Sequence, residues 1–136
     1  MQLDKSFAIA FSGMNAQSER LKVIAENLAN ADSTAQTPDG DPYKRKVITF
    51  ESVLDRTIGA DRVKVGGVKT IEDGIGRRYE PGHPAADASG YVKTPNVNSI
   101  TELMDMREAQ RSYEANLNVI DAAKSMLSRI IDLLHG

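Results

Sequence analysis

The sequence has 136 residues, which suits one domain-sized unit with a modest core. Three Phe, four Tyr and no Trp leave that core poor in aromatic side chains. The formal net charge of −2 excludes a strong overall attraction to nucleic acid or to an anionic membrane surface. Because the chain has no cysteine, disulfides and thiolate chemistry are excluded, while the cellular compartment stays open.

The N-terminal residues do not have the pattern of a cleaved signal peptide. The segment after Lys5 mixes apolar and polar residues, without the continuous apolar block and the cleavage site that a signal peptide requires. No run approaches the roughly 20 apolar residues that span a bilayer. We therefore expect no direct membrane insertion and no export by the general secretory route.

Residues 4–30 are predicted to form an amphipathic helix. One row of side chains at seven-residue intervals consists of Phe7, Met14, Leu21 and Leu28, and the adjoining row consists of Phe11, Ser18 and Ala25. Gly13 costs a helix about 1 kcal/mol relative to Ala, so a close backbone contact is expected there. An ordinary core-facing helix has the same periodicity, so this pattern alone does not establish an interface.

Turn-forming residues separate this helix from a predicted strand. Residues 31–42 are small, polar and rich in turn formers. Asp39 and Asp41 lie there, but the segment lacks the roughly five oxygen ligands and the late Glu of an EF-hand loop, so no metal site is predicted. Three consecutive basic residues open the predicted strand 43–50. Without further basic residues and interleaved aromatic side chains, they indicate a charged edge strand rather than a nucleic-acid site.

The middle of the chain is predicted to contain short strands and turns. Residues 51–58 are expected to continue as a short helical turn. Residues 62–71 alternate apolar side chains around Gly66-Gly67, which predicts a hairpin that turns at the two glycines. Residues 79–92 are irregular and rich in turn formers.

The longest predicted element is a helix over 99–134. Ser99 and Glu102 fit a capping box at its start. Apolar side chains recur every seven positions in one row, Met106, Tyr113, Ile120, Leu127 and Leu134. Leu103, Leu117 and Ile131 form most of a neighbouring row, which Gln110 and Lys124 interrupt. Such a helix is about 54 Å long, whereas a compact domain of this size has a radius of gyration of roughly 14 Å. The helix is therefore expected to bury its apolar stripe against something outside a globular body.

Together these elements predict a mainly α fold with a small β-rich insertion. Because the two long helices share a seven-residue repeat, we expect them to pair as an antiparallel coiled coil. The expected division is an N-terminal helix (1–34), a turn-rich middle segment that contains strands (35–97) and a C-terminal helix (98–136).

No pattern of catalytic residues is recognisable. The only histidines are His83, in a constrained Pro-Gly-His-Pro turn, and His135, at a helix C-terminus where a partial positive charge suits the helix dipole. The glycines fit neither a dinucleotide-binding nor a P-loop pattern, and no serine lies in a nucleophile elbow. We expect no catalytic residue, no cofactor and no bound metal.

Five stretches resemble one known family. Residues 12–34 (SGMNAQSERLKVIAENLANADST) and the run from 102 to 124 resemble the two terminal signatures of bacterial flagellar basal-body rod and hook proteins. Residues 42–46, 80–84 and 94–98, together with a short middle segment, are most similar to the small proximal rod members. The positions that carry the family signature are Ser12, Gly13, Asn27, Ala29, Asn30, Pro81, Gly82, His83, Pro84, Arg111, Tyr113 and Asn116.

The resemblance implies a structural subunit of the flagellar rod that polymerises through its terminal helices and transmits torque for motility. Implied partners are copies of itself, other proximal and distal rod subunits, the adaptor between rod and membrane ring, and the flagellar export apparatus, with no nucleic acid among them. The implied location is the basal body, in the rod spanning the periplasm, after export without a cleaved signal peptide. The predicted assembly interface consists of Phe7, Phe11, Met14, Leu21, Leu28, Leu103, Met106, Tyr113, Leu117, Ile120, Leu127, Ile131 and Leu134.

A second interpretation belongs to a different class of protein. A soluble coiled-coil adaptor or dimeric regulator would use the same apolar stripe against a single partner. Discrete dimers at all concentrations would favour it, whereas open-ended assembly favours the rod. A small enzyme is a third and more remote interpretation, and it would require a reaction that depends on His83.

Overall fold

The computed structural model describes residues 2–136. Helix α1 covers Gln2–Ala29 and helix α2 covers Ser99–His135. Four strands lie between them: β1 (Lys46–Asp55), β2 (Ala60–Thr70), β3 (Gly76–Tyr79) and β4 (Tyr91–Thr94). The predicted fold class, long terminal helices around a middle of short strands and turns, is confirmed.

The strands form two separate two-stranded sheets, β1–β2 and β3–β4. Strands β3 and β4 are antiparallel, with Gly76 opposite Thr94 and Tyr79 opposite Tyr91. The connection between β1 and β2 is too short for anything but an antiparallel hairpin.

The chain folds into two compact units, and both helices contribute to each. The first unit contains residues 1–21, 49–67 and 107–136. The second unit contains residues 22–48 and 68–106.

The hairpin turn does not lie where the two adjacent glycines predicted it. Gly66 and Gly67 lie inside β2, and the chain reverses before Gly59, whose φ is 65° and whose N–H donates to the Asp55 carbonyl at 2.8 Å. Gly66 instead permits close approach of the partner strand, because a Cβ atom there would lie 2.8 Å from Glu51 Cγ. The helical turn predicted for 51–58 is also wrong, since residues up to Asp55 pair as strand β1.

The start of α2 is capped by Asn98 rather than by the predicted capping box. Asn98 Oδ1 accepts hydrogen bonds from the N–H groups of Ile100 at 3.0 Å and Thr101 at 3.3 Å. This satisfies two of the backbone donors that the first turn leaves free. Glu102 is released from the capping role, and its side chain is fully buried within the second unit.

Candidate assembly interface

The inward face of α2 follows a seven-residue repeat, but half of it consists of small and polar residues. Seven of its buried and half-buried positions alternate at spacings of four and three, namely Glu102, Met106, Ala109, Tyr113, Asn116, Ile120 and Ala123, while Asp105 and Ser112 are half-buried as well. One row, Met106, Tyr113 and Ile120, coincides with a predicted row. The neighbouring row consists of Glu102, Ala109 and Ala123, which are buried, and Asn116, which is half-buried, whereas Leu103, Leu117 and Ile131 of the other predicted row are exposed.

Small residues let the two helices approach closely in the first unit. A Cβ atom added to Gly13 would lie 2.7 Å from Asn116 Nδ2, so the close contact expected at this glycine is confirmed. Arg20 and Glu108 form an ion pair at 3.5 Å. Because a higher residue number in α1 pairs with a lower one in α2, the helices run antiparallel here. Whether their side chains interlock as knobs into holes stays a prediction.

Six of the thirteen side chains predicted to form the interface are exposed, and only Ile120 is fully buried. In α1, Phe7, Met14, Leu21 and Leu28 are half-buried and Phe11 is exposed. In α2, Leu103, Leu117, Leu127, Ile131 and Leu134 are all exposed. The chain's own helix contacts therefore leave a second apolar surface open on the outside.

This open surface is most concentrated at the end of α2. The last buried residue of the helix is Ala123. After it come six exposed apolar side chains within three turns, Met126, Leu127, Ile130, Ile131, Leu133 and Leu134, and the last two are each 81% exposed. Large contiguous apolar surfaces of this kind mark sites of protein–protein contact.

In the second unit, Asn27 joins α1 to the start of β1 and to α2. Its side chain is 1% exposed. Asn27 Oδ1 accepts hydrogen bonds from Tyr43 Oη at 2.7 Å and from the Lys46 N–H at 3.0 Å. Asn27 Nδ2 donates to the Lys46 carbonyl at 2.8 Å and to Glu102 Oε2 at 3.3 Å. All four hydrogen-bonding positions of the amide are thus used.

A charged cluster surrounds this asparagine. Arg45 donates through Nε to Glu102 Oε1 and through Nη2 to Asp105 Oδ2 at 3.2 Å, so one guanidinium bridges two acidic residues of α2. Burial, with the nearby carboxylates of Glu26 and Glu102, raises the pKa of the Tyr43 phenol. The phenol therefore stays neutral at physiological pH and remains a donor to Asn27.

Sequence reasoning misses this cluster, because it places Arg45 on a charged edge strand and Glu102 in a helix cap. The available signal is that Arg45, in the predicted strand, and Glu102, in the predicted C-terminal helix, have opposite charges. Nothing in their spacing indicates that the fold brings them together.

His83 holds a surface turn of the second unit in place. Its Nδ1 accepts a hydrogen bond from the Ala85 N–H at 2.9 Å, so in the neutral ring Nε2 carries the proton and donates to Thr34 Oγ1 at 3.0 Å. Both ring nitrogens are used for structure, and the Pro81–Pro84 turn is tied to the loop that follows α1.

Neither a metal centre nor a membrane span is found within residues 2–136. They contain no group of three or more His, Asp or Glu side chains placed to hold a metal ion. Neither of the two helices has an apolar stretch sufficient to cross a bilayer.

Comparison with known proteins identifies the family. The family described as "Flagella basal body rod protein" matches residues 7–35, and the one described as "Flagellar basal body rod FlgEFG protein C-terminal" matches residues 88–133. The flagellar basal-body rod protein FlgC of Agrobacterium fabrum is 49% identical over 134 residues, covering 98% of this chain and 96% of that protein. The chain belongs to the flagellar basal-body rod protein family.

Relatives from distant bacteria extend the match. FlgC of an Escherichia coli O6:H1 strain is 44% identical over 133 residues, with 98% of each chain covered. FlgC of Borreliella burgdorferi is 38% identical over 154 aligned positions that cover both chains completely. The chain is thus a FlgC-like rod protein, a structural subunit of the rod in the flagellar basal body.

The signature residues of this rod protein fall into two groups. In the first unit, Ser12 Oγ accepts a hydrogen bond from the Val63 N–H at 3.1 Å, Gly13 lies against Asn116, Tyr113 is half-buried and Arg111 is exposed. The second unit contains the others. Asn27 organises its polar cluster, Asn30 Nδ2 donates to the Glu26 carbonyl at 2.8 Å, Ala29 is exposed, and Pro81 to Pro84 form the turn held by His83.

Proposed function

We propose that this rod subunit polymerises through the outward apolar faces of its terminal helices and so forms the proximal part of the rod. The observation that carries the proposal is the exposed apolar end of α2, where Leu133 and Leu134 are each 81% exposed. A chain that left this surface in water would be prone to association, whereas neighbouring subunits would bury it.

The partners proposed for this surface are copies of the same chain and other proximal and distal rod subunits. Contacts of the head-to-tail type do not close on themselves, so they generate a helical tube. A tube that crosses the periplasm would carry torque from the motor outward. We also propose contact with the adaptor between the rod and the membrane ring.

Export is proposed to take place through the flagellar export apparatus without a cleaved signal peptide. Isolated helices gain most of their stability from packing an apolar face against a neighbour. The parts of α1 and α2 that lack such a neighbour in the free subunit are therefore proposed to fold fully only on assembly. A partly unfolded subunit is suited to a narrow export channel.

A catalytic role is not proposed. The only histidine within the folded middle segment, His83, uses both ring nitrogens to hold a turn. This structural use supports a rod subunit without enzymatic activity.

The test replaces Leu133 and Leu134 together by Asp in a strain that lacks its own copy of the protein. Burying each leucine at a subunit contact contributes about 2–3 kcal/mol, so we expect rods to be absent and swimming to be lost. The matched control is Ser125→Asp with Ser128→Asp, which adds the same two charges to exposed polar positions nearer the middle of the same helix.

Three readouts decide the outcome: mass spectrometry of purified basal bodies, electron microscopy of the rods and swimming in soft agar. Normal rods that contain the double Asp variant would contradict polymerisation through this surface. Discrete dimers of the parent chain at all concentrations, with normal rods in a deletion strain, would favour the coiled-coil adaptor instead.

A further inference from the structure

A groove on the first unit has no occupant within the described residues. Its volume is about 500 Å³, and it lies between α1 and the end of the β1–β2 hairpin. Ala16, which is buried, contributes from α1, while Val53, Leu54 and Val63 contribute from the strands and are 38–60% exposed. With the half-buried Val65, four large apolar side chains line a concave surface that residues 2–136 leave open.

Ser12 offers the groove no free hydrogen-bonding group beside its apolar side chains. Ser12 Oγ, which also lines it, donates to the Ile9 carbonyl at 2.7 Å and accepts from the Val63 N–H at 3.1 Å, so its hydrogen bonds are already made. An apolar cavity of roughly 150 Å³ accommodates one benzene-sized group. The groove therefore has room for about three side chains of the size of leucine.

The rim of the groove has charges of both signs. Asp55 and Arg62 pair with each other at 2.8 Å. Glu19 and Arg56 also line the groove, and neither has an ion-pair partner among residues 2–136. An incoming segment with an apolar stripe and a charged flank would therefore find both apolar side chains and a free carboxylate.

The end of α2 has these properties. At 100° per residue its six exposed apolar side chains cover an arc of about 160°, wider than one helix–helix contact needs. Lys124 and Arg129 bound this arc on its two sides. Arg129 neighbours Leu133 on the helix surface, and it has no ion-pair partner within the described part of the chain.

We propose that the end of α2 from one copy inserts Ile130, Leu133 and Leu134 into this groove of a second copy, with Arg129 beside Glu19. The inference rests on the proposed function, and it identifies the groove as the surface of one copy that binds the end of α2 from another copy. Donor and acceptor are different surfaces of one chain, so the contact is heterologous and each copy both gives and receives a helix end. The remaining arc, with Leu127 and Ile131, stays available for another neighbour.

Disulfide cross-linking tests the contact directly, because the natural chain has no cysteine. The test chain contains Leu54→Cys and Leu133→Cys, and it replaces the natural protein in the cell. Purified basal bodies are oxidised, dissolved without reductant and probed with an antibody against the chain. The expected result is a ladder of dimers, trimers and larger species, since each copy contributes one thiol to each of two neighbours.

The matched control pairs Val68→Cys with Leu133→Cys. Val68 is an exposed residue of β2 that does not line the groove, so its cross-linking should be at least about tenfold slower. Equal ladders from both pairs would overturn the groove as the receiving site. Basal bodies that contain the chain without any ladder would overturn the inference while the proposed function stands, and absence of the natural chain from basal bodies would overturn both.

A charge exchange keeps the proposal testable if the cysteine pair prevents assembly. Glu19→Arg should reduce the amount of chain in basal bodies by up to about fivefold, the range for one exposed ion pair. Adding Arg129→Glu should restore it. Glu114→Arg, which changes an exposed glutamate of α2, is the control and should not respond to Arg129→Glu. Failure of the second change to rescue the first would contradict the Glu19–Arg129 contact.

Discussion

The fully bonded amide of Asn27 predicts a large and specific loss of stability when it is removed. Asn27→Ala deletes four hydrogen bonds, two to the Lys46 backbone and one each to Tyr43 and Glu102. Each is worth about 1 kcal/mol net, and buried groups left unpaired cost more. Because Lys46 is only half-buried, its backbone groups regain some hydrogen bonds to water. We expect a decrease of about 2–4 kcal/mol in the free energy of unfolding.

The assay is urea unfolding of the purified chain, followed by circular dichroism. The matched control is Asn15→Ala, which changes an exposed asparagine of the same helix and should alter stability by less than about 0.5 kcal/mol. If Asn27→Ala were no more destabilising than this control, the assignment of Asn27 as the residue that joins α1, β1 and α2 would be refuted.

Asn27→Asp adds a signature that depends on pH. The introduced carboxyl would face Glu102 and the Lys46 carbonyl, so its pKa in the folded state is raised above its unfolded value. A raised folded pKa means that the folded state binds the proton more tightly, so stability is higher below the unfolded pKa and falls as pH rises through the folded pKa. Relative to the natural chain at the same pH, the variant should be least stable near neutrality and should recover on acidification. If the loss in free energy of unfolding did not change with pH, the proximity of position 27 to Glu102 would be contradicted.

Three further predictions concern other parts of the chain. The Arg62 guanidinium and the Thr57 N–H hold the pKa of Asp55 below its ordinary value. The stabilisation that this lowered pKa gives to the folded chain is present above the unfolded pKa of Asp55 and is lost as pH falls through its folded pKa. An NMR titration should show a lowered pKa for Asp55, and Arg62→Gln should move that pKa toward its ordinary value. Gly13→Leu should cost about 1–3 kcal/mol by overpacking against Asn116, and Asn116→Ala should recover part of that cost in a double-mutant cycle measured by urea unfolding. In amide exchange on the dilute monomer, residues 124–135 should exchange far faster than the amides around Asn27, and slow exchange throughout both helices would contradict folding on assembly.

The sequence alone determined the two long helices and the family of the chain. Seven-residue apolar patterns are local properties, so α1 and α2 begin and end within about two residues of their predicted bounds. The close contact at Gly13 was also predictable, because a glycine inside a helix usually has a packing reason. The shared pattern of the two termini with rod proteins indicated the family, which the full-length relatives confirm.

Tertiary structure decided which side of each helix faces inward. Periodicity groups positions by hydrophobicity, so it placed Leu103, Leu117 and Ile131 in the apolar stripe without deciding whether they face α1 or a neighbouring subunit. The fold buries Ala109 and Ala123 and half-buries Asn116, because small side chains permit the close approach of α1, and it leaves Leu103, Leu117 and Ile131 exposed. Long-range pairing likewise extended β1 through residues predicted to be helical and placed the glycine pair inside β2. Glu102 shows most clearly how local sequence fails to predict long-range contacts, since its local context indicated a helix cap. Arg45 and Asn27, from distant positions in the sequence, approach it and make it the buried centre of the second unit.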